Sequence, residues 1–187
     1  MDKELVRRAG ELLEEHVTAG NLRKHCRATE AIMRDLALRF DADPDLWGAA
    51  GLLHDLDYDE TMDDMGRHGE VTAEILRREG YPEEMVEAIR SHNAANLGIE
   101  MTEPFGVALA AAESATGLIA AMALILPSKK LADVKTKSVV KRMKEKSFAR
   151  NVDREDIRRA GEIGLEVREF LDIGVQAMKD AAADLGL

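Results

Sequence analysis

Cysteine is almost missing from this 187-residue chain: Cys26 stands alone, which excludes an intrachain disulfide and a cysteine-rich zinc module. Aromatic residues are scarce too, two Tyr, one Trp and four Phe, too few for the stacking platforms that hold single-stranded nucleic acid. Alternating apolar and polar stretches of the β type are absent. No apolar run is both long and uninterrupted. The longest, residues 107–126, is broken by Glu113, and charge at mid-span is costly in a bilayer, so it reads as a buried helix. The opening residues, "MDKELVRRAGELLEEH", lack the apolar core of a signal peptide, and a cytoplasmic location is expected. Positive charge is also in deficit. A formal charge of −10 disfavours nucleic acid or an anionic membrane as a partner through the overall field. The deficit is uneven, because residues 129–150 carry nine Lys or Arg against two acids.

What is present reads as helix almost throughout. Leu22, Cys26, Thr29, Met33, Leu36 and Phe40 recur in steps of three and four, one stripe of an amphipathic helix that starts at Asn21. A first helix before it, marked by Leu5, Leu12 and Leu13, is expected to end near Ala19-Gly20. Asp43-Pro44 is an N-cap followed by proline at the first helical position. Gly80 closes a helix that begins at His68, and Pro82 opens the next. Pro104 opens the alanine-rich helix that reaches Leu126. Asp153 is placed to cap "REDIRRAGEIG", and a terminal helix is expected from about Leu165 to Ala183. Its apolar face, Leu165, Val167, Phe170, Leu171, Val175 and Met178, is expected to pack either on the domain or on a second copy in a homodimer. No repeat, linker or break in composition divides the chain, so residues 1–187 are expected to form a single all-α domain, a helical bundle.

Chemistry-bearing residues gather at the ends of these helices. His25 borders the stripe of the second helix; His54 ends the third, followed at once by Asp55; His68 begins the fourth and His92 finishes the fifth. Glu113 interrupts an otherwise apolar helix. Singly, each has a plain reading: a hydrogen-bonded border histidine, a half-exposed acid or one paired with arginine, a solvated acidic loop at 57–64. Jointly, several imidazoles and acids drawn toward a core need compensation, because uncompensated burial of charge costs several kcal/mol. A divalent cation held by imidazole nitrogen and carboxylate oxygen supplies it.

The segment "AAGLLHDLD", with His25 before it and a late acid on an alanine-rich helix after it, resembles the signature of the HD superfamily of metal-dependent phosphohydrolases. The stretch "HGEVTAEILRREGYPEEMVEAIRSHN" is similar to the subgroup with additional histidines. The resemblance spans about residues 21–120 and leaves a C-terminal extension of about 121–187 unassigned. It implies an all-α HD-type bundle in which His25, His54, Asp55, His68, His92 and Glu113 are metal ligands. Asp55, His68 and His92 are then the catalytic set, with Asp55 bridging two ions or the two histidines touching substrate phosphate beside one. Glu113 departs from the aspartate usual there, and His92-Asn93 departs from a paired histidine.

Mixed nitrogen and oxygen ligands suit Mn, Fe, Co, Ni or Zn, as one ion or two. Each imidazole needs an acceptor for its other nitrogen, for which Glu30, Asp57 and Glu70 are candidates. The implied activity is hydrolysis, as a phosphomonoesterase or phosphodiesterase, of a nucleotide or another small phosphorylated metabolite. Arg27, Arg67, Arg90, Lys129 and Lys130 are the candidates for binding substrate phosphate. Two other readings keep the same ligands: an iron enzyme that oxidises its substrate with dioxygen, and a non-catalytic module stabilised by its metal.

Overall fold

The structure is a computed structural model that describes residues 1–187. Twelve α-helices follow one another without a strand: α1 (Lys3–His16), α2 (Gly20–Arg39), α3 (Pro44–Leu53), α4 (Tyr58–Thr61), α5 (Glu70–Glu79), α6 (Glu83–His92), α7 (Ala94–Leu97), α8 (Pro104–Ile125), α9 (Thr136–Arg142), α10 (Arg154–Arg158), α11 (Val167–Asp180) and α12 (Ala182–Leu185). The all-α expectation holds.

Local chemistry sets the helix ends. The Asp43 carboxylate accepts from the backbone N–H groups of Asp45 and Leu46 at 2.8 and 3.2 Å, with Pro44 at the first helical position. Asp153 caps α10 in the same way through Glu155 N–H, at 2.7 Å. Gly80 ends α5 in the left-handed region, φ +81°, where a side chain would be strained.

Several boundaries differ from the sequence reading. α1 stops at His16 because Val17 is extended and its N–H still bonds Leu13 C=O. The segment after Asp153 is helical only to Arg158 and then tightens into a 3₁₀ turn, Arg159–Ile163, which contains Gly161 and stops at left-handed Gly164. The terminal helix is shorter than expected, Val167–Asp180, and α12 follows as a separate turn.

α8 is apolar on nearly every face, and the structure explains why: α2, α6, α10 and α11 all pack on it. Although α8 is long and apolar enough to cross a membrane, 61% of its most apolar stretch is buried inside the bundle. Around it runs a hydrophobic cluster of 46 buried residues drawn from both halves of the chain, from Ala9 to Leu185. The apolar face of α11 packs inward, with Phe170, Leu171, Val175 and Met178 buried by the chain itself against α2, α8 and α9. These four residues of the expected face pack on the bundle itself.

One contact fixes the position of the histidines. α2 and α3 approach so closely at Gly51 that a Cβ there would lie 2.8 Å from the backbone of Thr29 and Glu30. Only glycine fits. The N-terminal turns of α2 and the C-terminus of α3 are thereby held against each other, and these two places carry His25 and His54-Asp55.

Candidate metal centre

Four imidazoles and one carboxylate meet at the end of α3. His54 Nε2 lies 3.3 Å from His25 Nε2 and 3.4 Å from Asp55 Oδ2, and His25 Nε2 lies 3.9 Å from the same oxygen. On the other side of Asp55, Oδ1 is 3.3 Å from His68 Nε2 and 3.9 Å from His92 Nε2, while those two nitrogens are 2.9 Å apart. The result is two triads, His25–His54–Asp55 and Asp55–His68–His92, which share one carboxylate through different oxygens. His54 is fully buried; His68, His92 and Asp55 expose less than a tenth of their side chains, and His25 exposes a quarter. Access to the first triad is therefore from the His25 side.

The tautomers follow from the opposite ring nitrogens. His54 Nδ1 donates to Gly51 C=O at 2.9 Å, His92 Nδ1 to Ile89 C=O, and His68 Nδ1 to Asp57 Oδ1 at 2.8 Å. Each of these rings then turns an Nε2 lone pair toward Asp55 and toward its neighbours. Acceptors facing one another at 2.9–3.3 Å repel unless a proton or a cation lies among them. A cation bound at about 2.1 Å from nitrogen or oxygen separates adjacent ligand atoms by about 3.0 Å in an octahedron and about 3.4 Å in a tetrahedron. Four of the six contacts, at 2.9–3.4 Å, fall in or beside that interval, while His25 and His92 stand 3.9 Å from the carboxylate. The donor set therefore fits divalent metal, and the clustered histidines and aspartate form a candidate divalent metal site.

The local fields are uneven. Burial alone would lower the His54 imidazole, yet the adjoining Asp55 carboxylate outweighs it and raises the group to about 9. The same contest at His68, with Asp55 and Asp57 against burial, raises it to about 10. His92 has burial and two neighbouring imidazoles against its charged form and falls to about 4. Burial also lowers His25, with His54 acting in the same direction. Asp55 stays well below the usual carboxylate range because His54 and His68 overcome its burial.

Asp57 is the imidazole partner within the acidic loop. Although five acids lie within residues 57–64, Asp57 alone is buried, and its carboxylate accepts from His68 Nδ1 at 2.8 Å and from the N–H groups of Gly69 and Thr72 at 2.9 Å each. Of the three acceptors expected to orient imidazoles, Asp57 does so; Glu30 is paired with Arg34 and Glu70 with Arg90. Asn93, read from sequence as a missing second histidine, is buried and donates to Met65 C=O and His68 C=O at 2.7 and 2.9 Å, which ties down the turn that carries His68. His68 itself stands two residues before α5, on that turn, and not on the helix. Tyr58 closes the same side with its ring edge-on to His68, centroids 5.6 Å apart.

Glu113 faces the cluster from α8 but belongs to neither triad. Burial raises its carboxyl above the usual range; His54 opposes the rise and Asp55 adds to it. The arginines proposed for phosphate are engaged elsewhere. Arg27 pairs with Glu14 at 3.1 Å, Arg67 with Glu60 at 2.8 Å, and Arg90 with both Glu70 and Glu87 at 2.6 and 2.8 Å. Lys129 and Lys130 are exposed and line a shallow cavity beside α12 that none of the five clustered residues reaches. Lys24, not singled out in the sequence, lines a cavity together with His25.

Comparison with known families finds one match: the family model described as HD domain covers residues 22–127, more than half of the chain. No curated protein and no solved structure matches the chain. The HD signature read at "LLHD", the helical architecture and the gathered histidines and aspartate agree with that match, and the chain belongs to the HD-domain family, most of whose members are metal-dependent hydrolases.

Proposed function

We propose that the protein is a metal-dependent phosphohydrolase whose two triads, His25–His54–Asp55 and Asp55–His68–His92, would each hold a divalent transition-metal ion, and that it acts on a small phosphate ester. The observation that supports this most is the split of Asp55: Oδ2 faces His25 and His54, and Oδ1 faces His68 and His92. A single structural ion would need only one of these sets. When bound, such ions supply an acidified water at neutral pH and positive charge opposite the phosphoryl oxygens.

The chain's own groups do the rest. His54, His68 and His92 keep their Nε2 lone pairs free because their Nδ1 protons are committed to Gly51, Asp57 and Ile89. Glu113 is the late acid, which adds negative charge beside the first triad across from His25 and His54. The buried walls at His54 and Asp55 exclude bulk water, and partly open His25 leaves the approach for substrate. The ester P–O bond breaks as a water oxygen bonds to phosphorus. One water proton leaves with the alcohol and the other stays on the phosphate, so that atoms and charge balance.

The test is metal content and turnover measured together on the purified chain supplied with Mn, Co or Ni. Asp55→Ala loses both ions and all turnover of phosphate esters, while His16→Ala, at the end of α1, keeps both. Equal metal in Asp55→Ala and wild type overturns the ligand assignment. Full metal with no turnover on a broad panel of phosphate esters overturns the hydrolase reading and leaves the metal as a structural ion.

A further inference from the structure

We infer that the cavity beside His25, between α2 and α8, seats the leaving group of the substrate, and that this group is a short aliphatic alcohol, so the substrate class is an alkyl phosphate monoester. The inference rests on the phosphohydrolase reading and deepens it.

The cavity measures about 340 Å³, within the range of small-molecule sites. Its two walls lead to the metal centre. On α2 it is lined by Asn21, Lys24, His25 and Ala28, an i, i+3, i+4, i+7 face. On α8, Gly117, Ala120 and Leu124 continue at helical spacing from Glu113, so the acid and the cavity share a face of that helix. His25 belongs to both places, because its ring lines the cavity while its Nε2 lies 3.3 Å from His54 Nε2.

The lining is mostly aliphatic. Its charged and amide groups are one ammonium, Lys24, which reaches across to Gly186 of the C-terminal segment, and one carboxamide, Asn21, with no acidic side chain in the wall. The only hydroxyl, Thr116, is already spent on Ala112 C=O at 3.0 Å and on Thr29 at 3.2 Å. Ala28, Ala120, Leu124 and, from the C-terminal extension, Met178, Leu185 and Leu187 make up the apolar wall. A nucleobase needs an aromatic face for stacking or several edge partners, and this wall has no Phe, Tyr or Trp, its one ring being the His25 imidazole turned toward His54. A phosphate head with a flexible aliphatic tail matches it: phosphate toward the triads, and methylenes against leucine and methionine, which adapt to an irregular chain. The extension thus has a role the family core does not give it, as the far wall of the pocket.

The experiment compares n-alkyl phosphates from methyl to butyl with adenosine 5′-monophosphate on the Mn-loaded full chain. It also titrates n-butylphosphonate, which is not hydrolysed, by calorimetry. Each added methylene is expected to raise kcat/KM about fourfold. Ala120→Phe is expected to fill the cavity, raising KM for butyl phosphate at least tenfold and abolishing phosphonate binding. Metal content and turnover of acetyl phosphate, whose acyl group is too small to reach Ala120, stay at wild-type level. Leu124→Asp, at an exposed rim position, gives the same pattern if Ala120→Phe does not fold. Asp55-dependent turnover with the adenylate preferred over butyl phosphate overturns the inference and leaves the hydrolase reading intact. Phosphonate binding that Ala120→Phe removes, with no ester hydrolysed, supports the alkyl-binding cavity and overturns the hydrolase reading.

Discussion

Asp57 touches no expected ion, yet three donors converge on its carboxylate, and one of them is the imidazole of a triad. A carboxylate in that position fixes the tautomer and orientation of His68 and makes its free nitrogen a better ligand. Asp57→Asn keeps the shape and removes the charge, so it is expected to cost roughly 10–100-fold in metal affinity. Chelator competition on the purified variant reads this directly, and an unchanged affinity would remove Asp57 from the centre. Asp156 makes a different prediction. Burial first, then Asp153 and Glu113, raise its carboxyl from 3.8 to about 6, with Arg159 opposing them. Because the folded state binds this proton more tightly, its stabilising effect is complete below pH 3.8 and is lost as pH rises through about 6. Asp156→Asn is therefore expected to melt higher than wild type at pH 7.5 and at the same temperature near pH 4. Thermal scans at the two pH values decide it.

Among elements, the close approach of α2 and α3 carries the most weight. Gly51→Ala puts a methyl group into the backbone of Thr29 and Glu30, where no flexible side chain can give way. Overpacking of this kind costs about 1–3 kcal/mol or more. It also moves His25 away from His54, so a denaturant midpoint and a metal titration should fall together. This scale also explains what could be read in the linear chain. Helix starts at Asp43-Pro44 and Asp153 were legible because a cap is a local device, and His54-Asp55 was legible because the apolar run and the doublet are contiguous. Asp57 could be named as a candidate acceptor but not told apart from Glu30 and Glu70, since its burial depends on residues 65–72 folding back over it. Asn93 was hidden for the same reason. Arg27, Arg67 and Arg90 adjoin candidate ligands in sequence, but in the folded chain each is paired with a carboxylate. Lys24 was not legible because its cavity exists only once α8 and the C-terminal segment pack against α2.

For the molecule as a whole, the expected ligands come from α2, α3, the turn before α5, and α6, with Glu113 on α8 beside them. An ion bound there ties the N-terminal half of the bundle together and binds the unfolded chain weakly. Free metal at a hundred times its dissociation constant is worth about 2.7 kcal/mol, or roughly 5–10 °C in melting temperature for a chain of this size. Excess chelator should return the midpoint to its starting value, and a melting curve indifferent to Mn, Co, Ni and chelator would contradict the centre. Asp55 adds a last consequence. One negative charge serves two positions through its two oxygens, so the first ion to arrive draws down the attraction left for the second. If both triads bind metal as proposed, loading is expected to be anticooperative, and a metal titration at scarce metal is expected to find a single ion per chain.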